Sequence, residues 1–160
     1  MDEERTRSSG AGARAVVRSR VTMEASTVAS VAANSLKKGD VLGTARYAGV
    51  QAAKDAASLL PLGSSVSIRA TRIEFELGEG AIDLEVAVES ADGSDARMPA
   101  FSAAAAAALT IYDMCKSADR TMVIGPARLV ADGPDTPVAR GETRGGEAPP
   151  PPAGSGGVVL

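Results

Sequence analysis

A chain of 160 residues without a single histidine has to move protons and hold anions with carboxylates, amines and guanidinium groups. Histidine metal sites, serine–histidine and cysteine–histidine nucleophile pairs and an imidazole base are all excluded. Its single cysteine, Cys115, rules out an intramolecular disulfide and any multi-cysteine zinc or iron–sulfur site. Free cysteines are usually buried small hydrophobes, so Cys115 is given no role. Asp113 and Lys116 remain, spaced so that both fall on one face of a helix. There a carboxylate can orient an ammonium for proton transfer or for a phosphate group. The same spacing is also that of an ordinary surface ion pair. Arg46 and Lys54, about two helical turns apart, could meet a phosphate-bearing ligand or simply face water.

Composition narrows the setting. Hydrophobic residues make up 44% of the chain and charged residues 23%, as in soluble folded proteins rather than disordered ones. The net charge of −3 argues against nucleic acid as a partner. An aromatic content of 2% leaves little for base stacking. The charged start, Met1-Asp2-Glu3-Glu4-Arg5-Thr6-Arg7, lacks the apolar core of a signal peptide. No run has the uninterrupted apolar character of a membrane span. The expectation is a cytoplasmic protein acting on a small molecule, with no membrane partner, no metal and no cofactor.

These side chains need elements to position them. Residues 14–23 alternate in part through Val17, Ser19, Val21 and Met23 and predict a strand. Ser26 or Thr27 is placed to cap a short helix through Ala33. After Lys37-Lys38-Gly39-Asp40, a longer helix carries Val41, Ala45, Ala48, Ala52 and Ala56 on one face, closed by Leu59-Leu60-Pro61. Residues 66–77 predict a strand, Gly78-Glu79-Gly80 a turn, and Ile82, Leu84, Val86 and Val88 a half-exposed antiparallel strand. Pro99 suits the first turn of a third helix running to about Ala118, and residues 122–130 predict a last strand. The order is β-α-α-β-β-α-β, an α+β ferredoxin-like arrangement with an antiparallel sheet and helices on one face. The Ala103–Ala108 run is expected to permit close packing, and the open sheet face to allow association of subunits. The compact domain is placed at 14–132. A disordered tail is placed at 1–13, and a Pro/Gly-rich one, with four consecutive prolines, at 133–160.

Within this frame, Lys38-Gly39-Asp40-Val41-Leu42-Gly43-Thr44-Ala45-Arg46-Tyr47-Ala48-Gly49-Val50-Gln51-Ala52-Ala53-Lys54 resembles the second-helix signature of the MoaC-type cyclic pyranopterin monophosphate synthases. Ala107 to Lys116, reading Ala-Ala-Leu-Thr-Ile-Tyr-Asp-Met-Cys-Lys, resembles their third-helix signature. Met122-Val123-Ile124-Gly125-Pro126 follows at the expected distance, and Leu59-Leu60-Pro61-Leu62 matches their Leu-Pro-Leu stretch. The resemblance implies the second step of molybdenum cofactor synthesis. A cyclic dihydroguanosine triphosphate intermediate becomes cyclic pyranopterin monophosphate with release of pyrophosphate, without a redox cofactor. It also implies a homo-oligomer, dimer to hexamer, with sites at the dimer interface. By the same resemblance Lys38 matches a catalytic lysine, and Asp113 and Lys116 an acidic and basic pair.

Several family positions differ. Gly63-Ser64-Ser65 stands where the family has Cys-His-Pro, Arg97-Met98-Pro99 where it has Glu-Met-Glu, and Asp132 at about the place of a lysine. The early Met-Val-Asp-Val-Ser segment is not visible. Losing an imidazole and two carboxylates is expected to cripple the family reaction. The departures therefore favour a repurposed lyase or cyclase acting on a different, anionic substrate of specialised metabolism. In that scheme Lys38, Asp113 and Lys116 are catalytic, and Ser64, Ser65 and Arg97 bind substrate. The alternatives are attenuated cyclic pyranopterin monophosphate synthesis, and a non-catalytic assembly or regulatory subunit.

Overall fold

The computed structural model describes residues 13–133. Apart from Ala13 and Gly133, both expected tails lie outside the described residues. The elements, in chain order, are β1 (Arg14–Thr22), α1 (Ala25–Ala32), α2 (Val41–Lys54), α3 (Ala56–Leu59), β2 (Ile68–Leu77), β3 (Ala81–Ser90), α4 (Arg97–Cys115), β4 (Val123–Ile124) and β5 (Arg128–Asp132). The antiparallel sheet runs β2-β3-β1-β4, with β5 also on β1. This is the expected α+β class, with the helices that carry the candidate residues packed on one face.

The period-2 pattern divides the sheet cleanly. Val17 and Val21 of β1 and Ile82, Leu84, Val86 and Val88 of β3 are almost wholly buried beneath the helices. The intervening residues point the other way. There Arg18 stands opposite Glu85 and Arg20 opposite Asp83, each arginine Nε 2.7 Å from a carboxylate oxygen. Arg14 lies 3.8 Å from Glu89 in the same pair of strands. Ion pairs cover this face between β1 and β3 on either side of one buried apolar pair, Val16 opposite Ala87.

Helices α2 and α4 run antiparallel. Val41 and Ala45 share one hydrophobic cluster with Ala107, Ala108 and Ile111, while Ala53 shares a second with Ala96, Ala100 and Ala103. Small residues set their separation. A Cβ at Gly49 would collide with the Ile73 side chain and come within 3.0 Å of the Ala103 carbonyl oxygen. Ala103, Ala104, Ala107 and Ala108 are fully buried, so the alanine run packs as expected. At 19 residues, α4 is long and apolar enough to cross a membrane by length and composition alone. Its alanine face instead lies in the protein interior, as in a core helix.

Some expectations need correction. Neither Ser26 nor Thr27 caps α1. Its N-cap is Glu24, whose side chain makes no capping bond. Asp119, from the segment after α4, does the work: its Oδ2 accepts from the Glu24 backbone N–H at 2.8 Å and the Thr27 hydroxyl at 3.1 Å. Its Oδ1 accepts from the Thr121 N–H at 2.8 Å and the Thr121 hydroxyl at 2.7 Å. Ala48 lies off the buried face of α2, where Gly49 is buried instead, and Ala56 begins the separate turn α3. The last strand is two short pieces divided by Gly125-Pro126, where proline supplies no ladder donor.

Asp119 yields a pH prediction. The Glu24 N–H, followed by the hydroxyl and N–H of Thr121, holds its carboxyl down from 3.8 to about 2. A carboxylate depressed on folding stabilises the protein above its ordinary pKa, and that contribution disappears as pH falls through the folded value. Asp119→Asn is expected to lower the Tm by several degrees at pH 7. It should also flatten the loss of stability between pH 3.8 and about 2. Thermal denaturation monitored by circular dichroism across that range checks both.

Candidate active site

The approach of α2 to α4 builds a cationic cluster. Gly39 adopts φ +93°, a left-handed conformation open to glycine without strain. Next, Asp40 caps α2, its Oδ1 accepting from the Gly43 N–H at 3.0 Å. This turn delivers Lys38 to the end of α4. Lys38 Nζ donates to the Asp113 carbonyl oxygen at 2.8 Å and lies 3.7 Å from Asp113 Oδ2. Lys116 Nζ donates to Asp113 Oδ1 at 2.7 Å.

Two ammonium groups thus share one carboxylate at a helix C-terminus, where unpaired carbonyls and the helix dipole favour cations. The Lys116 ammonium, by hydrogen bond and charge, and the Lys38 ammonium beside it hold the Asp113 carboxyl below its ordinary range. Asp113 is therefore ionised at neutral pH and anchors both amines. All three side chains are about half exposed, leaving both ammonium groups able to meet a polyanion. Lys38, Asp113 and Lys116 come together in one protomer.

Ser64, Ser65 and Arg97 do not join them. Ser64 and Ser65 lie exposed between α3 and β2. The Ser67 carbonyl accepts from the Ala91 N–H at 2.8 Å, which puts that segment beside the chain leading to Arg97. Arg97 opens α4 while Lys116 follows its end, so the two are separated by roughly 28 Å at 1.5 Å per residue. The six residues divide between opposite ends of the α2–α4 pair.

The far end also contains a partner that the sequence reading missed. Asp95 accepts from Arg97 Nε at 2.9 Å and from its terminal nitrogen at 2.7 Å. The Asp-x-Arg spacing is visible in the sequence but is not distinctive. The hydrogen bonds that Arg97 donates to Asp95, and the Asp95 charge, raise the Arg97 pKa, with smaller help from the charge of Asp132. Arg97 and Asp132 occupy two positions where the resemblance leads one to expect an acid and a lysine. The signs are exchanged. Arg46 is also engaged, its Nε donating to the Ile73 carbonyl at 3.1 Å and its guanidinium lying over the Phe75 ring. Burial raises the Cys115 pKa, as suits a core thiol. Among the described residues there is no cluster of three or more metal-ligating side chains.

Residues 6–133 match the MoaC family. The chain is 40% identical over 118 residues to the cyclic pyranopterin monophosphate synthase of Pelobacter propionicus, covering 72% of this chain and 74% of that protein. It is 42% identical over 118 residues to the synthase of Roseiflexus castenholzii, covering 72% and 75%. It is 41% identical over 112 residues to that of Geobacter sulfurreducens, covering 69% and 70%. These relatives overturn the expectation of a repurposed lyase with a different substrate. Similarity at this level across the domain, with the lysine–aspartate cluster assembled, favours the family chemistry over a new one.

Lys38→Met and Lys116→Met are each expected to leave thermal stability within experimental error, because exposed ion pairs contribute little to folding. Each should weaken the binding of inorganic pyrophosphate about tenfold, as removal of one charge-assisted contact does. Isothermal titration calorimetry at two salt concentrations measures the loss.

Proposed function

Because the chain belongs to the MoaC family, we propose that it catalyses the reaction for which its relatives are named, the synthesis of cyclic pyranopterin monophosphate, at an attenuated rate. The observation that carries this proposal is the cluster of Lys38 and Lys116 on the Asp113 carboxylate. The substrate of the resemblance is a cyclised nucleoside triphosphate, and pyrophosphate leaves. Lys38 and Lys116 offset the charge gathering on that leaving group. Such preorganised cations are worth more in the transition state than in the ground state. The Nζ atoms also present protons, while the carboxylate fixes their direction.

The attenuation follows from the departures. A well-placed acid or base contributes about 10²–10⁴-fold, and the chain has no imidazole with which to replace the one it lacks. The exchanged charges of Arg97 and Asp132 retain a cation at the far end, on the opposite strand or helix from the expected one. Because that end lies roughly 28 Å from Lys116, a second copy of the chain would bring its Ser64, Ser65 and Arg97 to the lysine cluster. A homo-oligomer in the cytoplasm, with the site shared between copies, fits this arrangement.

Incubation of the purified protein with the cyclic dihydroguanosine triphosphate tests the reaction, with pterin followed by fluorescence and pyrophosphate by a coupled assay. Slow turnover with both products in equal amounts is expected, reduced at least about 10²-fold by Lys116→Ala. Absence of either product from a folded, assembled protein would overturn the assignment.

A further inference from the structure

Packing of α2 on α4 places Lys38 and Asp113, but Lys116 lies beyond the end of α4. It is the C-cap residue and still holds helical angles, φ −58° and ψ −24°. Its N–H donates to the Tyr112 carbonyl at 2.9 Å. Helix ends open locally at little cost unless the chain beyond them is tied down. Lys116, Ser117 and Ala118 are all exposed, so burial of their side chains does not hold this turn. Were it to open, Lys116 would leave the helical spacing that sets its Nζ 2.7 Å from Asp113 Oδ1.

The tie is Asp119. The Ala118 and Asp119 N–H groups both bond the Cys115 carbonyl, at 2.9 and 3.0 Å. The chain therefore wraps once more around the end of α4 after Lys116. Cys115, at the start of this turn, is wholly buried, and Asp119, at its end, is 3% exposed. The Asp119 carboxylate uses both oxygens. Oδ2 accepts from the Glu24 N–H and the Thr27 hydroxyl, where α1 begins, and Oδ1 from the N–H and hydroxyl of Thr121. An ionised carboxylate accommodates about four donors, so this one is saturated.

Capping α1 does not require this arrangement. A serine, threonine or aspartate at position 24 would cap it locally. The cap comes instead from the segment that carries Lys116, which joins α1 to the end of α4. The Cys115 thiol lies between this anchor and the cationic cluster. Burial raises its pKa, the charge of Asp119 raises it further, and the charge of Lys38 lowers it. Asparagine at position 119 would keep the size but set an NH2 group against N–H and hydroxyl donors on one side, loosening the tie there.

We propose that Asp119 is a positioning residue for Lys116: by pinning the turn after α4 to the start of α1, it holds the Lys116 ammonium on Asp113, ready for a pyrophosphate group. This inference rests on the pyrophosphate-releasing reaction assigned above and deepens it. The support of the site then extends to α1, a helix that places no group in the lysine cluster. Asp119 acts through Lys116, because its own carboxylate is buried and fully engaged.

Calorimetric titration of inorganic pyrophosphate into the full chain tests this, at a temperature where circular dichroism shows each variant folded. Asp119→Asn is expected to weaken binding several-fold, up to the loss of about tenfold that Lys116→Met brings by itself. On the Lys116→Met background the same change should alter affinity less than about twofold, because nothing is left to position. Thr27→Val, which removes one donor to Asp119 from α1, should weaken binding in the same direction, and Thr27→Ser should restore it. Val88→Ala, a core change in the other hydrophobic cluster, should lower the Tm and leave affinity unchanged. The proposal is overturned by an Asp119→Asn effect that persists without Lys116, by an equal loss in Val88→Ala, or by wild-type affinity in Asp119→Asn and Thr27→Val. Failure of Thr27→Ser to restore binding, or a wild type that binds no pyrophosphate, overturns it too. The titration needs no turnover. A chain that binds in this pattern but forms no product loses the assigned reaction and keeps the role of Asp119. One that turns over with affinity indifferent to Asp119 does the reverse.

Discussion

The close approach of α2 to α4 is the constraint on which the rest depends. Two antiparallel helices come together on glycine and alanine, with Gly49 against the Ala103 carbonyl and Ala107. At wider separation Lys38 would not reach Asp113, because its turn is fixed to α2 by the Asp40 cap. Helix packing, not loop flexibility, therefore gives the cationic cluster its geometry. The same interface leaves Asp113 and Lys116 on the exposed part of the last helical turn, where charge costs little and a ligand can enter. Packing density and electrostatics are coupled here: methyl groups fill the contact, so all the charge is pushed to its ends.

A second consequence concerns polarity along the helices. Antiparallel packing places the start of α2 with the end of α4, and the end of α2 with the start of α4. Residues conceived as one pocket are consequently segregated. Arg97 is held by Asp95 in a bidentate bond, oriented but distant. The sheet carries the same division in another form, with β1 supplying cations, β3 supplying acids, Arg69 of β2 paired with Glu89, and Arg72 and Glu74 of β2 in no ion pair among the described residues.

Much of the fold was legible because it rests on periodicity. The alternation from Ile82 to Val88 and the apolar face from Val41 to Ala52 locate β3 and α2 directly, and the lysine–aspartate spacing on α4 needed only a helix to be realised. Other features depend on contacts between distant segments. The carboxylate that caps α1 comes from Asp119, far along the chain, and no local pattern announces it. Asp95 beside Arg97 was visible as a spacing but carries no distinctive signal. The break between β4 and β5 follows from Gly125-Pro126, which the run of apolar residues around it concealed. Function is hidden for a different reason. The departures at Gly63-Ser64-Ser65, Arg97 and Asp132 stand out in the sequence more than the retained scaffold does, and likeness to named synthases over most of the domain reverses that balance.

The central claim is that one site is assembled from the lysine end of one copy and the serine–arginine end of another. Mixing two disabled chains tests it most directly: one altered at Lys116→Ala, the other at Arg97→Ala, dissociated and reassociated together. In a two-fold dimer each mixed pair contains one site intact in both halves. Random reassociation should therefore recover about a quarter of wild-type turnover from two chains that are each nearly inactive. Turnover in the mixture no greater than the sum of the separate variants would show that each chain carries its site alone.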